Sequence, residues 1–268
     1  RLQCRAMELL AYLLTCAAAG LIAGLLGGGG GIIIVPALDW LFAQHGFGSD
    51  AQMHYAVCTS LAVIVPTALA STLMHQRFGS VLWPVSRPMM IGILPGALLV
   101  AWLGTQLSSV WLGRCFGVFS LLIAIKFLMG IQPGPGRRLP GVPGLGGAGS
   151  VIGAVSALLG IGGGSMSVPF LLWCGKNIHK AVGTSAALGL PIAIAGTAGF
   201  ILNGSGSAGQ PGLNSGFIYW PAVAGVVLAS VVAAPAGARL ANHLPRQTLQ
   251  RVFALLLIII GVKMLAGV

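Results

Sequence analysis

Acidic side chains are almost missing: in 268 residues only Glu8, Asp39 and Asp50 carry a carboxylate, and charged residues of both signs amount to 6%. A soluble domain carries about 25% charged residues, so this chain cannot clothe a water-facing shell. None of the three acids falls deep in an apolar run, so the buried carboxylate relay of many proton-coupled transporters is not expected. Cysteine is sparse and unpatterned. Cys4, Cys16, Cys58, Cys115 and Cys174 are an odd set without metal-ligand spacing, which favours small buried hydrophobes over a disulfide framework or a metal site. Neither a His-Glu-x-x-His helix nor a Gly-x-Ser-Gly turn occurs, so no enzyme and no cofactor are expected.

What is abundant is apolar surface. Hydrophobic residues make up 56% of the chain, more than a soluble core of this length can bury. The net charge of +11 would suggest nucleic acid in a soluble protein. Here the basic residues stand singly at the ends of apolar runs, where membrane topology explains them, and no nucleic-acid partner is expected. Runs long enough to cross a bilayer cover 8–26 continuing as 32–44, then 53–74, 85–105 and 110–131, and after a Pro/Gly/Arg-rich stretch 148–160 continuing as 165–174, then 180–202, 217–239 and 248–267. Without polar alternation these are helices, not barrel strands. The first apolar run, from Leu9, belongs to the repeated unit rather than to a signal peptide.

One motif occurs twice, Gly20 to Pro36 and Gly153 to Pro169. In each a glycine run breaks a membrane-grade segment, and proline follows five residues after the last glycine. Trp83-Pro84 answers Trp220-Pro221, Arg114 answers Arg251 and Lys126 answers Lys263, all at an offset of 137, while Ala56 to Ser60 and Pro66 answer Ala181 to Ser185 and Pro191. The chain is therefore two homologous halves, 7–131 and 148–268, joined by a cytoplasmic linker, 132–147.

If each broken segment crosses the membrane once, Lys and Arg outside the helices divide six (Arg1, Arg5, Arg77, Arg87, Arg137, Arg138) against six (Arg114, Lys176, Lys180, Arg239, Arg246, Arg251). If each folds back as a hairpin the halves are inverted, and nine share one side against Arg1, Arg5 and Arg114, which fits the positive-inside rule. The expected fold is accordingly all-α and polytopic, with two inverted repeats of a Gly-rich hairpin plus three helices and both termini periplasmic. The thirteen residues from Ile32 to Gln44 reach only about 20 Å as helix, so the hairpin tips should meet near the midplane of a ~30 Å core.

The doubled Gly segment ending in Pro36 and Pro169, the pairs Thr59-Ser60 and Thr184-Ser185, the His75-Gln76-Arg77-Phe78-Gly79 turn and the Gly237-Ala238-Arg239-Leu240 stretch resemble the TauE/SafE anion permeases over nearly the whole chain. That resemblance implies export of sulfite, organosulfonates or related small anions across the bacterial inner membrane. An anion channel, or an importer of another small oxyanion, is the alternative. A helix restarting after glycines offers free N–H groups and a positive dipole end, worth roughly 0.3 to 1 kcal/mol per anion at exposed sites. The candidate substrate site is Gly29, Gly30, Gly31 and Ile32 facing Gly162, Gly163, Gly164, Ser165 and Ser167, with hydroxyls from Thr59, Ser60, Thr184 and Ser185. The same glycines also suit close helix packing, and hydroxyls often bond back along their own helix. His75, Arg77, Lys126 and Lys263 are candidate gate or vestibule residues; for the lysines, snorkelling at a helix end competes with that role. The expected partners are a small anion and the lipid bilayer.

Overall fold

The computed structural model describes residues 31–44, 47–48, 50–129, 139–204, 214–228, 230 and 246–266. The first arm at 8–26, Gly29 and Gly30, both termini, most of the linker, and Gly237 to Leu240 lie outside the described residues.

The described chain is almost wholly helical: α1 (Gly31–Gln44), α2 (Gln52–Arg77), α3 (Trp83–Gln106), α4 (Ser109–Leu128), α5 (Val142–Leu158), α6 (Gly164–Trp173), α7 (Ile178–Asn203) and α8 (Arg246–Ala266). A two-residue hairpin, β1 (Asn214–Ser215) with β2 (Ile218–Tyr219), precedes a further helical stretch at 220–228. Of the described helices, α2, α3, α4 and α7 are long and apolar enough to cross a membrane. Their outer faces carry Ile91, Leu98, Leu99, Trp102, Leu122 and Ile125, all well exposed, as a bilayer solvent permits and water does not. Helix α5 starts at Val142, ahead of the apolar run read from 148. Pro143 in its first turn has no amide to leave unpaired, which makes that turn a natural start.

Glycine and alanine set how the helices meet. On α3 and α5, a Cβ at Gly92 would strike the Gly146 carbonyl oxygen and one at Gly96 the Ser150 carbonyl, while one at Gly149 would strike that of Met89. Contacts stepping by four on both helices make the pair parallel, and only hydrogen at these positions allows the backbones so close, with Cα–H groups against carbonyls. Ser150 Oγ donates to Gly92 O at 2.9 Å across the same seam.

The matching helices of the two halves run antiparallel. Leu61 of α2 packs at Gly196 of α7, and seven residues on Ala68 packs at Gly189, seven residues back. In α4 and α8, Gly117 lies against Gly261, and Gly113 meets Met264 beyond it. Two side-chain bonds repeat the relation. Thr59, near the start of α2, accepts at 3.2 Å the N–H of Tyr219, the last residue of β2. Thr184, near the start of α7, accepts the Leu82 N–H at 2.9 Å, just after the end of α2. Each threonine thus holds the amide before the other half's Trp-Pro helix.

Candidate functional site

The second glycine break is a chain reversal. Helix α5 closes at Gly160, whose φ of +65° is a left-handed conformation that glycine alone adopts without strain. The Ile161 N–H donates to Ser156 O at 2.9 Å and the Gly160 N–H to Ala157 O at 3.3 Å, the paired closing bonds of a Schellman end. Three residues later Gly163 caps α6, with the Ser167 N–H donating to Gly163 O at 2.9 Å. Helix α5 runs parallel to α3, and α3 runs from Leu82 at Thr184 to Gly104 at Phe200, parallel to α7. Helix α6 instead begins beside Ser185 and Gly189 and ends with four residues between it and the start of α7, so it runs back antiparallel. The two arms therefore form a hairpin whose tip lies beside the middle of the long helices.

The start of α1, where the first glycine run ends, meets this tip. A Cβ on Gly31 would strike the Gly160 carbonyl oxygen and lie 2.9 Å from Ile161 Cα and 3.1 Å from Ile64 Cδ1. Gly160 in turn is pressed on Val35 of α1 and on the backbone of Val57 of α2. Gly31, Ile32, Gly162 and Gly163 are buried, and Gly164 and Ser165 half-buried. Gly31 at the end of the first glycine run thus packs against the second tip, while Gly29 and Gly30 lie outside the described residues.

The hydroxyls separate into two groups. Thr59 and Thr184 brace the opposite halves, and Ser60 Oγ donates its proton to Gly160 O at 2.9 Å, pinning the tip to α2. Ser167 and Ser185 are fully buried, and their Oγ atoms have no partner; Ser165 Oγ, Ser156 Oγ and Thr197 Oγ1 share that condition. A buried hydroxyl without a partner forgoes a bond worth about 1 kcal/mol, so Ser165, Ser167 and Ser185 at the start of α6, whose first amides also lack intrahelical acceptors, fit a site that receives a ligand. A Cβ on Gly163 would stand 3.1 Å from Gly189 N and 3.2 Å from Ser185 O, which puts the α6 cap against the α7 backbone at Ser185.

The candidate cations lie elsewhere. Lys126 and Lys263 sit in the last turns of α4 and α8, where a positive charge complements the dipole. Lys263 is exposed but close enough for its charge to act on Asp39, which is half-buried on α1 and accepts Gln52 Nε2 at 3.0 Å. Arg77 is exposed, while His75 is half-buried and lines a pocket at the end of α2. Sequence reasoning did not single out Ser156, although it lies within the repeated segment Gly153 to Pro169, nor Thr197. It also gave no weight to Ser80 and His179, although His54 and His179 fall at the offset of 125 that pairs Thr59 with Thr184.

Residues 12–264 match the family model described as "Sulfite exporter TauE/SafE". A probable membrane transporter protein of Haemophilus influenzae is 34% identical over 258 residues, covering 94% of this chain and 96% of its own. The probable membrane transporter protein YunE of Bacillus subtilis is 27% identical over 268 residues, with 92% and 93% covered. One from Methanocaldococcus jannaschii is 26% identical over 181 residues, 63% of each chain. No solved structure matches.

Proposed function

The chain belongs to the sulfite exporter TauE/SafE family and is a multi-pass membrane transporter rather than an enzyme, and we propose that it exports a small sulfur-containing anion, sulfite or an organosulfonate, across the bacterial inner membrane. The observation that carries this is the meeting of the two broken elements beside unpaired buried hydroxyls. Gly31 lies on Gly160, and the start of α6 lies beside Ser185, with Ser165 and Ser167 in its first turn. Amide dipoles and neutral hydroxyls suit a guest that must be held without a fixed counter-ion and released again.

The antiparallel relation of α2 to α7 and of α4 to α8 supports an inverted-repeat topology, and the positive-inside count supports placing both termini in the periplasm. Alternating access follows from rocking one helical bundle against the other about the α2–α7 crossing. An inside-negative potential drives each negative charge outward with about 2.3 kcal/mol per 100 mV, so export needs no coupling ion.

The test is sulfite efflux from proteoliposomes at a fixed potassium-diffusion potential. Expected are saturable efflux, counterflow and no loss when the proton gradient is collapsed. A strict requirement for the proton gradient would overturn the uncoupled mechanism, and flux without saturation or counterflow would favour a channel.

A further inference from the structure

At the junction of α2 and α7, away from the hairpin tip, lies a pocket of ≈ 290 Å³ lined by His75, Phe78, Ser80, Ile178, His179 and Val182. At about 30 Å³ per water it has room for a small organic ion and part of its hydration. Its walls are fixed by the chain. Helix α2 closes with the Ser80 N–H on His75 O and the Gly79 N–H on Gln76 O, both at 2.9 Å. Ser80 then rests on Gly183, where a Cβ would come within 2.7 Å of it. Asn177 Oδ1 accepts the His179 N–H at 3.1 Å and opens α7.

The pseudo-twofold relation shows what this space would be if it were only structural. Offsets of 125 and 137 pair Ile178, His179 and Val182 with Met53, His54 and Val57, and Ser80 with Phe217. At that equivalent place the Phe217 ring stacks on His54 with centroids 5.2 Å apart, His54 is buried with a ring nitrogen 3.0 Å from Gly104 O, and Phe217 is buried too. One half fills the place with an aromatic ring; the other puts serine there and leaves His179 exposed.

The chemistry of the lining is two-sided. His75, His179 and Ser80 offer N–H and O–H donors, while Phe78, Ile178 and Val182 are apolar. The charged groups on the surrounding segments are Arg77 on α2, Arg87 on α3, and Lys176 and Lys180 flanking the start of α7. The described acids, Asp39 and Asp50, belong to the opposite end of α2, where Gln52 binds Asp39.

We propose that this pocket binds a small amphiphilic anion, a sulfonate, carboxylate or phosphate head with a short apolar body. The head meets His75, His179 and Ser80, and the body lies on Phe78, Ile178 and Val182. It is a second site, outside the hairpin tip, and it stands on the fold alone. The probe is 1-propanesulfonate, a monoanion with a short apolar tail. Binding is measured by titration calorimetry on the full chain in zwitterionic nanodiscs.

Expected is saturable binding of 1-propanesulfonate, with inorganic sulfate weaker than the sulfonate. The double variant His75→Leu, His179→Leu, which removes both ring donors, should weaken the sulfonate about tenfold. Ser80→Phe, which installs the ring found in the other half, should abolish this binding with an unchanged thermal midpoint. If phosphatidylglycerol in the nanodisc displaces the probe, the occupant is a lipid head; if it does not, the occupant is a soluble anion, and both support the site. Unchanged affinity in the double histidine variant, or binding that survives Ser80→Phe, overturns it. Binding is read without flux, so a failure of sulfite transport leaves this result standing.

Discussion

Gly31→Ala tests whether contact between the broken elements matters. The added Cβ would run into the Gly160 carbonyl oxygen and stand 2.9 Å from Ile161 Cα and 3.1 Å from Ile64 Cδ1. Only the Ile64 methyl can turn aside; the other two atoms are backbone. Carbon–carbon contacts relax to about 3.5 to 4.0 Å, so the α5–α6 tip must withdraw by roughly 0.6 to 1 Å. That movement also draws Gly160 O away from Ser60 Oγ, now at 2.9 Å, past the length at which a hydrogen bond persists. Overpacking costs about 1 to 3 kcal/mol and the lost bond about 0.5 to 1.5 kcal/mol, so together about 2 to 4 kcal/mol is at stake. If the tip moves, most of this falls on the bound state of the anion, and about 1.4 kcal/mol is tenfold in affinity. Sulfite counterflow in proteoliposomes should therefore fall by about tenfold or more, with thermal unfolding of the purified protein lowered. Gly147→Ala is the control, since a Cβ there meets nothing within 4 Å; flux and stability should hold. Combined with Ser60→Ala, the Gly31→Ala cost should be less than additive, because both act through Gly160 O. Wild-type flux and stability in Gly31→Ala would refute the reasoning.

Ser167→Ala with Ser185→Ala removes no hydrogen bond within the protein, so thermal stability should be unchanged while the half-saturating sulfite concentration rises about fivefold or more; an unmoved half-saturation would remove both hydroxyls from the site. Thr59→Val and Thr184→Val each leave a backbone N–H unpaired, at Tyr219 and Leu82, and each should lose about 1 to 3 kcal/mol in detergent unfolding, by similar amounts; a neutral result for either would show that its bond does not hold the halves. In a cysteine-free background, Phe78→Cys and Ser215→Cys, both exposed positions, should react with an impermeant maleimide from opposite faces of the membrane. Labelling from one face would exclude the inverted arrangement.

The spans and the duplication were legible because they are written in local pattern. Apolar length marked α2, α3, α4 and α7 within three residues of their observed ends, and paired Trp-Pro and Thr-Ser positions exposed the repeat. The reversal at Gly160 was one of two drawings the sequence allowed, separated only by counting charges. What local pattern could not give was which hydroxyl bonds what. Ser60 and Ser185 occupy equivalent places, yet Ser60 holds Gly160 and Ser185 holds nothing, because the partner is set by how the hairpin lands on two helices from different halves. Val142 to Gly147 read as linker through their glycine and proline content, although Gly146 is the seat of the closest approach to α3. The pocket at His179 is not legible in the repeat, because it arises from a mismatch, Ser80 against Phe217, and not from a shared residue.

The reciprocal threonine bonds bear on ancestry. A threonine near the start of one long helix grips the amide before the other half's Trp-Pro helix, and the favour is returned. An interface in which both sides give and receive the same contact is isologous. A single-repeat protein inserted into the bilayer in both orientations would therefore have closed both bonds with a second copy of itself, needing no new residue. Beyond those shared bonds the two ends of the crossing differ: one holds the Phe217 ring on His54, and the other sets Ser80 beside His179.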